Sequence, residues 1–404
     1  MKHILAFLLC TGSLLAGMAQ VKNTISGKVM NGETGAPVPG ASVFITNTSR
    51  GTVSSSTGSF ELQNVPEGSY DLIVSSIGFE TQVYSYKAEQ LPLRLEIHMK
   101  PKVEELQAVV VEPDEKNGWE KWGKFFTDNF IGTNEDGRSC RITNYKTLRF
   151  RFSKKKNMLH VLADEPLQIE NKALGYRVQY QLEDFTFGFS NHVLVYYGYS
   201  LFSELNAKGP SKNQFKSREK AWNGSIMHFM RSLYHDSLAA QGFEVRRMVR
   251  RPNLEKQRVR ILYRELARSG RLNIQSGPMA IGKDSSDYYQ RILAQEDVSD
   301  EYAKPLLTAD SLLFKNDSVV TRRLLFPDYL YIVYRNEKED PDYLEYSHER
   351  RGPWFQRSNA FLPDLMPVSI EPTGNYYPPQ SFMTLGYWSW NEKVGDMLPL
   401  DYRQ

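Results

Sequence analysis

Apolar and polar residues alternate in short runs over the first hundred residues of the chain. The runs at 41–45, 70–75 and 93–99 each place apolar side chains at every second position. Successive side chains of a β-strand point to opposite faces, so a period of two indicates half-buried strands. Turn-forming pairs such as Asn31-Gly32 and Thr57-Gly58 separate the runs. Short strands spaced in this way, with no helical period among them, predict an all-β sandwich over residues 22–100.

The pattern changes after residue 100. Residues 101–118 are mostly charged or polar, and the apolar run 109–111 predicts one short strand within a linker. Apolar residues at Trp119, Trp122, Phe126 and Phe130 then follow a helical spacing. Alternating runs between residues 147 and 199 predict strands, and a slip of one position near Glu183-Asp184 indicates a β-bulge or a turn. The chain is therefore predicted to be mainly β with some α, with an α+β domain over 119–404 and an optional subdivision near residue 275.

A second predicted helix carries the first candidate binding face. It begins after Ser225, a good N-cap residue, and ends before Gly242. Its apolar residues share one face, while His228, Arg231 and His235 cluster on the opposite face. These three side chains could contact an anion, a carboxylate or a metal ion, and the alternative is a solvated or interdomain face. The two histidines are two turns apart, about 10.5 Å along the helix, which is too far for both to bind one metal ion.

Two further surfaces are candidates for ligand binding. Trp388 and Trp390 are predicted to share a strand face, where they could stack on sugar rings, and the alternative is a buried aromatic pair. Residues 243–271 are rich in arginine and could bind an acidic glycan or lipid head groups. Acidic segments at 297–301 and 337–342 offer the alternative that the arginines are paired within the protein.

Composition and the first residues indicate where the protein works. A signal peptide is predicted over residues 1–19. It has a basic start, an apolar core from residue 4 to 16, and small residues before a cleavage site after Ala19. The sequence after residue 19 contains no run of 18 apolar residues, so no transmembrane helix is predicted. The 50 Lys and Arg residues nearly balance the 47 Asp and Glu residues, which argues against a nucleic-acid partner. Cleavage leaves Cys140 as the last cysteine, and we expect it to be half-buried and structural.

Several short motifs of the first hundred residues resemble the carboxypeptidase-regulatory-like, or transthyretin-like, domain. That domain is the non-catalytic β-sandwich behind the enzyme domain of some metallocarboxypeptidases. It is also common at the N-terminus of exported Bacteroidetes proteins, including outer-membrane transporters of the TonB-dependent type. The resemblance implies a transthyretin-like sandwich and does not extend to the rest of the chain. The motifs are Ile25-Ser26-Gly27-Lys28-Val29, Pro39-Gly40-Ala41-Ser42-Val43, Thr57-Gly58-Ser59-Phe60, Pro66-Glu67-Gly68-Ser69-Tyr70 and Ile77-Gly78-Phe79.

The sequence lacks the zinc-carboxypeptidase motif that this resemblance would suggest, and it also lacks a serine-hydrolase motif. None of the seven histidines begins a His-x-x-Glu pair, and Gly-x-Ser-x-Gly does not occur. We therefore expect no cofactor and a non-enzymatic cell-envelope protein, periplasmic or peripheral to the outer membrane, that binds a protein or a glycan. The sandwich would serve as a spacer or docking module. The alternative is a glycan or peptide hydrolase with an unrecognised site in 119–404.

Overall fold

The computed structural model describes residues 23–66, 68–102, 112–269, 272–273, 277–278, 283–315 and 321–404. The predicted signal peptide and the predicted strand at 109–111 lie outside these residues. The described chain is mainly β with some α, as predicted. No helix in these ranges is both long enough and apolar enough to cross a membrane.

The first module is a β-sandwich built from seven strands. One sheet has the order β4-β1-β7 and the other the order β3-β2-β5-β6. Strands β1 and β7 are parallel, with Ile25 opposite Leu93, and the other pairs are antiparallel. The strands are β1 (Ile25–Asn31), β2 (Ser42–Ile45), β3 (Gly51–Val53), β4 (Ser59–Leu62), β5 (Ser69–Ser75), β6 (Gln82–Lys87) and β7 (Leu93–Met99).

Alternation predicted the inner face of this sandwich but not the whole of its outer face. Tyr70, Leu72 and Val74 of β5 are buried in the core, as their period of two indicates. Ile73 points the other way and is also fully buried. Strand β5 is an inner strand, and Leu201 of the next module comes close to the same sheet at Gly51. An inner strand covered by a neighbouring module buries both faces, which alternation within one strand does not reveal.

The second module is a six-stranded sheet covered by helix α1. The sheet has the order β8-β11-β12-β10-β9, and β13 pairs along the full length of β12. Phe126 and Phe130 of α1 are fully buried against it, which confirms the predicted helical stripe. The predicted slip is a register shift between Leu182 and Asp184. The elements are α1 (Gly118–Phe130), α2 (Glu135–Arg138), β8 (Cys140–Ile142), β9 (Leu148–Ser153), β10 (Met158–Ala163), β11 (Leu167–Asn171), β12 (Tyr176–Gly188), β13 (Val193–Glu204) and α3 (Lys212–Trp222).

The third module contains a five-stranded sheet, β17-β14-β20-β21-β24, and a four-stranded sheet, β18-β19-β22-β23. Helix α4 shares one apolar core with both sheets. The first of its elements are α4 (Ile226–Tyr234), β14 (Phe243–Pro252), α5 (Leu254–Arg268), β15 (Leu272–Asn273), β16 (Gly277–Pro278), α6 (Lys283–Ala294), β17 (Val298–Tyr302) and α7 (Ala309–Leu312). The remaining elements are β18 (Leu313–Lys315), β19 (Arg322–Leu324), β20 (Tyr329–Lys338), α8 (Pro341–Tyr346), β21 (Phe355–Phe361), β22 (Val368–Ile370), β23 (Tyr376–Tyr377), β24 (Met383–Gly386) and α9 (Tyr387–Asn391).

The C-terminal segment, residues 386–402, contributes to the apolar cores of all three modules, and its Tyr387 and Trp390 form a smaller cluster with Tyr343 and Leu344. Trp388 lies in the core of the third module, Val394 and Leu398 in that of the second, and Leu400 in that of the sandwich. Residues on both sides of position 275 belong to a single core, whereas the two larger cores of 119–404 divide between Trp222 and Ile226, apart from Val394 and Leu398 of the C-terminal segment. The segment therefore ties together three packing units that the order of the chain keeps apart.

Candidate functional site

The structure places His228 inside the protein rather than on an open helix face. Its side chain is 4% exposed and stacks on Trp222. Its Nδ1 accepts a hydrogen bond from the backbone N–H of Gly224 at 3.2 Å, and its Nε2 lies 3.1 Å from Oε1 of Gln241. Burial lowers the pKa of the imidazole, only partly offset by Gln241. A neutral histidine with both ring nitrogens hydrogen bonded has a structural role here.

Arg231 lies at the junction of all three modules. Its guanidinium donates to the backbone oxygens of Thr373 at 2.7 Å, Leu400 at 3.0 Å and Tyr402 at 3.0 Å. It also stacks on Trp222, with 4.6 Å between the guanidinium carbon and the ring centroid. Arg231 therefore lies in an interdomain contact, which is one of the alternatives that the sequence leaves open for this helix face. His235, by contrast, is exposed at the end of α4, so the three candidate side chains do not converge.

Trp388 and Trp390 do not share a strand face, because both lie on the short helix α9. Both are buried, and each indole N–H donates a hydrogen bond inside the protein. Nε1 of Trp388 donates to the carbonyl of Gly224 at 2.7 Å, and Nε1 of Trp390 donates to Oγ1 of Thr133 at 3.2 Å. Their rings are therefore placed as packing groups, and neither offers an open face to a sugar.

The arginine-rich run is largely neutralised by internal ion pairs. Arg250 pairs with Asp300 at 2.7 Å and Arg260 with Asp297 at 2.8 Å, as the second reading of the sequence predicted. Arg247 finds a carboxylate outside the predicted segments, at Asp328. The segment 337–342 pairs elsewhere, with Arg138, Lys220, Arg351 and Arg357. A polyanion would have to compete with these carboxylates, which weakens the case for binding at this surface.

A cleft of about 230 Å³ lies where the second and third modules meet. It is formed by α2, the end of α3, the end of β20, the start of α8, and the segment that follows α9. The side chains around it are mostly polar and carry more carboxylates than amines. The lining residues are Asn134, Glu135, Asp136, Lys220, Ala221, Glu337, Lys338, Glu339, Asp340, Pro341, Gln356, Tyr387, Asn391 and Asp396.

Two buried carboxyl groups, Asp136 and Asp396, meet in this cleft. They are hydrogen bonded to each other, and each residue is 7% exposed. Nδ2 of Asn134 also donates to Oδ2 of Asp396 at 2.6 Å. Burial raises the pKa of both carboxyls, and the charge of Asp136 raises that of Asp396 further. Ionised carboxylates only accept hydrogen bonds, so the contact between them requires one shared proton.

The other charged groups of the cleft differ in how strongly they are already bound. Lys220 lies 3.5 Å from Asp340 and 3.6 Å from Glu135; burial alone would lower its pKa, but these carboxylates raise it. Burial raises the pKa of Glu337, although Asn223 donates to it at 2.8 Å. Glu339 forms ion pairs with Arg351 and Arg357 and therefore has a structural role. Glu337 and the carboxyl pair are thus the acidic groups best placed to meet a ligand.

Cys140 lies beside this cleft, and its surroundings make the thiol unreactive. It is half-buried, as predicted, and its thiol contacts the carbonyl of Asp136 at 3.4 Å. Burial, followed by the charges of Asp396 and Asp136, raises the pKa of the thiol to about 12. Because the thiolate is the nucleophile, Cys140 is a poor candidate for catalysis.

Among the described residues, no three His, Cys, Asp or Glu side chains are grouped closely enough to hold a metal ion. The sandwich, in contrast, has a definite relative: a family model matches residues 25–111. The N-terminal module is a CarboxypepD_reg-like domain. This confirms the resemblance drawn from its motifs, and the remainder of the chain has no family assignment.

Beyond the CarboxypepD_reg-like domain the comparisons are distant. No curated protein matches the chain. A candidate carbohydrate-binding protein from Bacteroides uniformis is 11% identical over 46% of this chain and 80% of its own, with a TM-score of 0.15. A candidate membrane-associated protein of unknown function from Bacteroides fragilis is 11% identical over 88% and 98%, with a TM-score of 0.16. A mutant type II cohesin–X-dockerin complex from Acetivibrio cellulolyticus is 24% identical over 19% and 56%, with a TM-score of 0.16.

The chain thus spans a little over half of the cohesin–X-dockerin chain. TM-scores of this size establish neither a shared overall fold nor a shared function. What the structure adds is how the CarboxypepD_reg-like domain is attached to its own chain. The backbone N–H of Asn47 donates to Ser200 at 2.7 Å, that of Phe202 donates to Thr48 at 3.0 Å, and Leu400 completes the core of the domain. The domain is therefore packed against the second module and the C-terminal segment rather than held at a distance from them.

Proposed function

We propose that the protein is exported to the cell envelope, in the periplasm or peripheral to the outer membrane, and acts there as a non-enzymatic binding protein. The observation that carries the proposal is the acidic cleft between the second and third modules. The predicted signal peptide supports export. The packed position of the CarboxypepD_reg-like domain supports a docking role for it rather than that of a spacer.

The chemistry of the cleft favours a ligand rich in hydrogen-bond donors. Carboxylates and side-chain amide oxygens are acceptors, and a concave acidic surface attracts positive charge. The volume of about 230 Å³ lies below the roughly 300–1,000 Å³ of pockets for drug-sized ligands. The cleft therefore fits one small group, and an amino sugar unit of an envelope glycan supplies both an ammonium and several hydroxyl groups.

The test is a calorimetric titration of the full chain with glucosamine and with N-acetylglucosamine. Acetylation removes the positive charge while keeping the ring hydroxyls, so we expect glucosamine to bind more tightly. We expect Glu337→Gln to weaken glucosamine binding by about tenfold, the loss of one charge-assisted contact. Glu345→Gln, at an exposed carboxylate on α8, is the matched control. Equal binding of the two sugars, or of all three proteins, would contradict the proposal.

A second candidate function, hydrolysis of a glycan or a peptide, is favoured by the Asp136–Asp396 pair. Two carboxyls that share a proton can donate and accept protons in turn, which is the requirement for acid–base catalysis. The test is a screen of glycan and peptide substrates. Turnover by the wild-type chain that is lost in Asp396→Asn, with an unchanged circular dichroism spectrum, would replace the binding role with an enzymatic one.

A further inference from the structure

The turn between β22 and β23, residues 371–375, is wedged between the CarboxypepD_reg-like domain and helix α4. On one side, the side chain of Thr373 lies beside the hydroxyl of Tyr70 in β5. On the other side, Gly374 has φ +83° and leaves no room for a side chain, since a Cβ there would come within 2.7 Å of the carbonyl oxygen of Met227. The position of the turn is therefore fixed from both sides.

Glu371 begins this turn and is buried in the contact with the domain. It is 7% exposed, and the hydrogen bond that its carboxyl accepts comes from Nδ2 of Asn375 at 3.4 Å. Within the described ranges it forms no ion pair. The domain presents the carboxylate of Asp71 to it, together with the hydroxyls of Tyr70 and Tyr86. Asp71 in turn accepts a hydrogen bond from Ser85 at 2.5 Å.

The charged groups of the surrounding elements do not compensate Glu371. Arg231 of α4 and Asp401 of the C-terminal segment act on Tyr70. The guanidinium of Arg231 is directed to the carbonyls of Thr373, Leu400 and Tyr402. Tyr199 of β13 is also close to Asp71, and its ionisation is disfavoured there. No cation among the described residues is thus placed to neutralise the Glu371 carboxylate.

This setting disfavours the ionised form of Glu371 in the closed contact. A buried carboxylate with one long hydrogen bond and a second carboxylate nearby is costly, whereas the protonated form carries no charge and gains a donor. The hydroxyl of Tyr86 is buried and, within the described structure, has no hydrogen-bond partner. Burial, offset in part by Asn375 and reinforced by Asp71, raises the pKa of Glu371 from 4.5 to about 7.

We propose that the contact between the 371–375 turn and the CarboxypepD_reg-like domain is a proton-controlled latch, closed while Glu371 is protonated and loosened when it ionises. This device is independent of what binds in the cleft. Because the closed state holds the proton more tightly than the open state, the latch is firmest below about pH 4.5 and weakens until about pH 7. The equilibrium for opening rises by roughly tenfold per pH unit across that range.

The test is hydrogen exchange of the full chain, measured by mass spectrometry from pH 5 to 8 and corrected for intrinsic exchange rates. We expect protection of β6 and of residues 371–377 to fall by about fortyfold between pH 5 and 7. Glu371→Gln keeps the size of the side chain without the titration, so its protection should not depend on pH. Glu345→Gln is the control and should follow the wild type.

A second variant keeps the test independent of whether Glu371→Gln folds. Asp71→Asn removes the like charge that raises the Glu371 pKa in the closed state, so the loss of protection should be smaller than in the wild type and should end at a lower pH. Wild-type protection that does not change with pH would overturn the latch. An unchanged pH dependence in Glu371→Gln would overturn it as well, because another group would then be responsible.

Discussion

Replacing Arg231 with methionine tests whether this side chain joins the three modules. Methionine keeps an apolar stem in place but removes every donor to the carbonyls of Thr373, Leu400 and Tyr402. A buried acceptor left without its donor costs about 1–3 kcal/mol, and half-burial lets water restore part of this. Loss of the stack on Trp222 adds about 0.5–1 kcal/mol. We expect Arg231→Met to lower the free energy of unfolding by about 3–5 kcal/mol.

Urea denaturation, followed by tryptophan fluorescence and by circular dichroism, measures this change. Arg350→Met is the matched control, because Arg350 is exposed on the third module and takes part in no ion pair of the described structure. A loss of stability should appear as a lower midpoint for the first transition with an unchanged slope. If Arg231→Met stays within about 1 kcal/mol of the control, the carbonyls that it binds are satisfied by water and Arg231 is not a junction.

Three other changes test separate parts of the structure. Leu400→Ala should destabilise the CarboxypepD_reg-like domain by about 2–4 kcal/mol in urea denaturation, because it opens a cavity in that core, and no change there would contradict the packing. Burial raises the pKa of Glu392 to about 8, so wild-type stability should fall between about pH 4.5 and 8. Glu392→Gln should reduce this loss of unfolding free energy by about 2–3 kcal/mol at pH 8, and urea midpoints of both proteins at pH 4.5 and pH 8 measure it. Cys140 should react with iodoacetamide at pH 8 only after unfolding, and labelling of the native protein would refute its burial.

Sequence periodicity predicted those elements whose stability depends on local pattern. The alternation of β5 predicted its strand, and the spacing of Phe126 and Phe130 predicted α1, because each pattern is a direct consequence of backbone geometry. The slip near Glu183 likewise marked the bulge in β12. The motifs of the first module were specific enough to predict its family.

The same reasoning was wrong where packing between modules decides the structure. Trp388 and Trp390 alternate in sequence but lie on a helical turn that is buried between two modules. For His228 the helical pattern leaves a ligand-binding, a solvated and an interdomain face open, and only the tertiary structure shows that Trp222 and Phe243 cover that face. A helical wheel describes one helix and contains no information about what packs on its other side.

The cleft could not be predicted for a related reason. Asp136 and Asp396 are separated by 260 positions, and neither lies in a recognisable motif. Residues 134–137, Asn-Glu-Asp-Gly, have the composition of an ordinary turn, and the C-terminal segment resembles a simple docked end. Only the path of that segment across the second module brings the two carboxyls together.

The path of the C-terminal segment also predicts how the cleft and the CarboxypepD_reg-like domain are linked. Asp396 lines the cleft, and Leu400, four residues further along, is buried in the core of the domain. A ligand that binds the folded cleft stabilises whatever must be folded to form it, by RT ln(1 + [L]/Kd). At a glucosamine concentration of about a hundred times Kd, we expect about 2.7 kcal/mol of stabilisation, and it should extend to amides of the domain in hydrogen exchange. In Leu400→Ala the same ligand should protect the cleft but not the domain, because the shared side chain has been removed. Equal protection of the domain in both proteins would mean that the coupling does not run through the C-terminal segment.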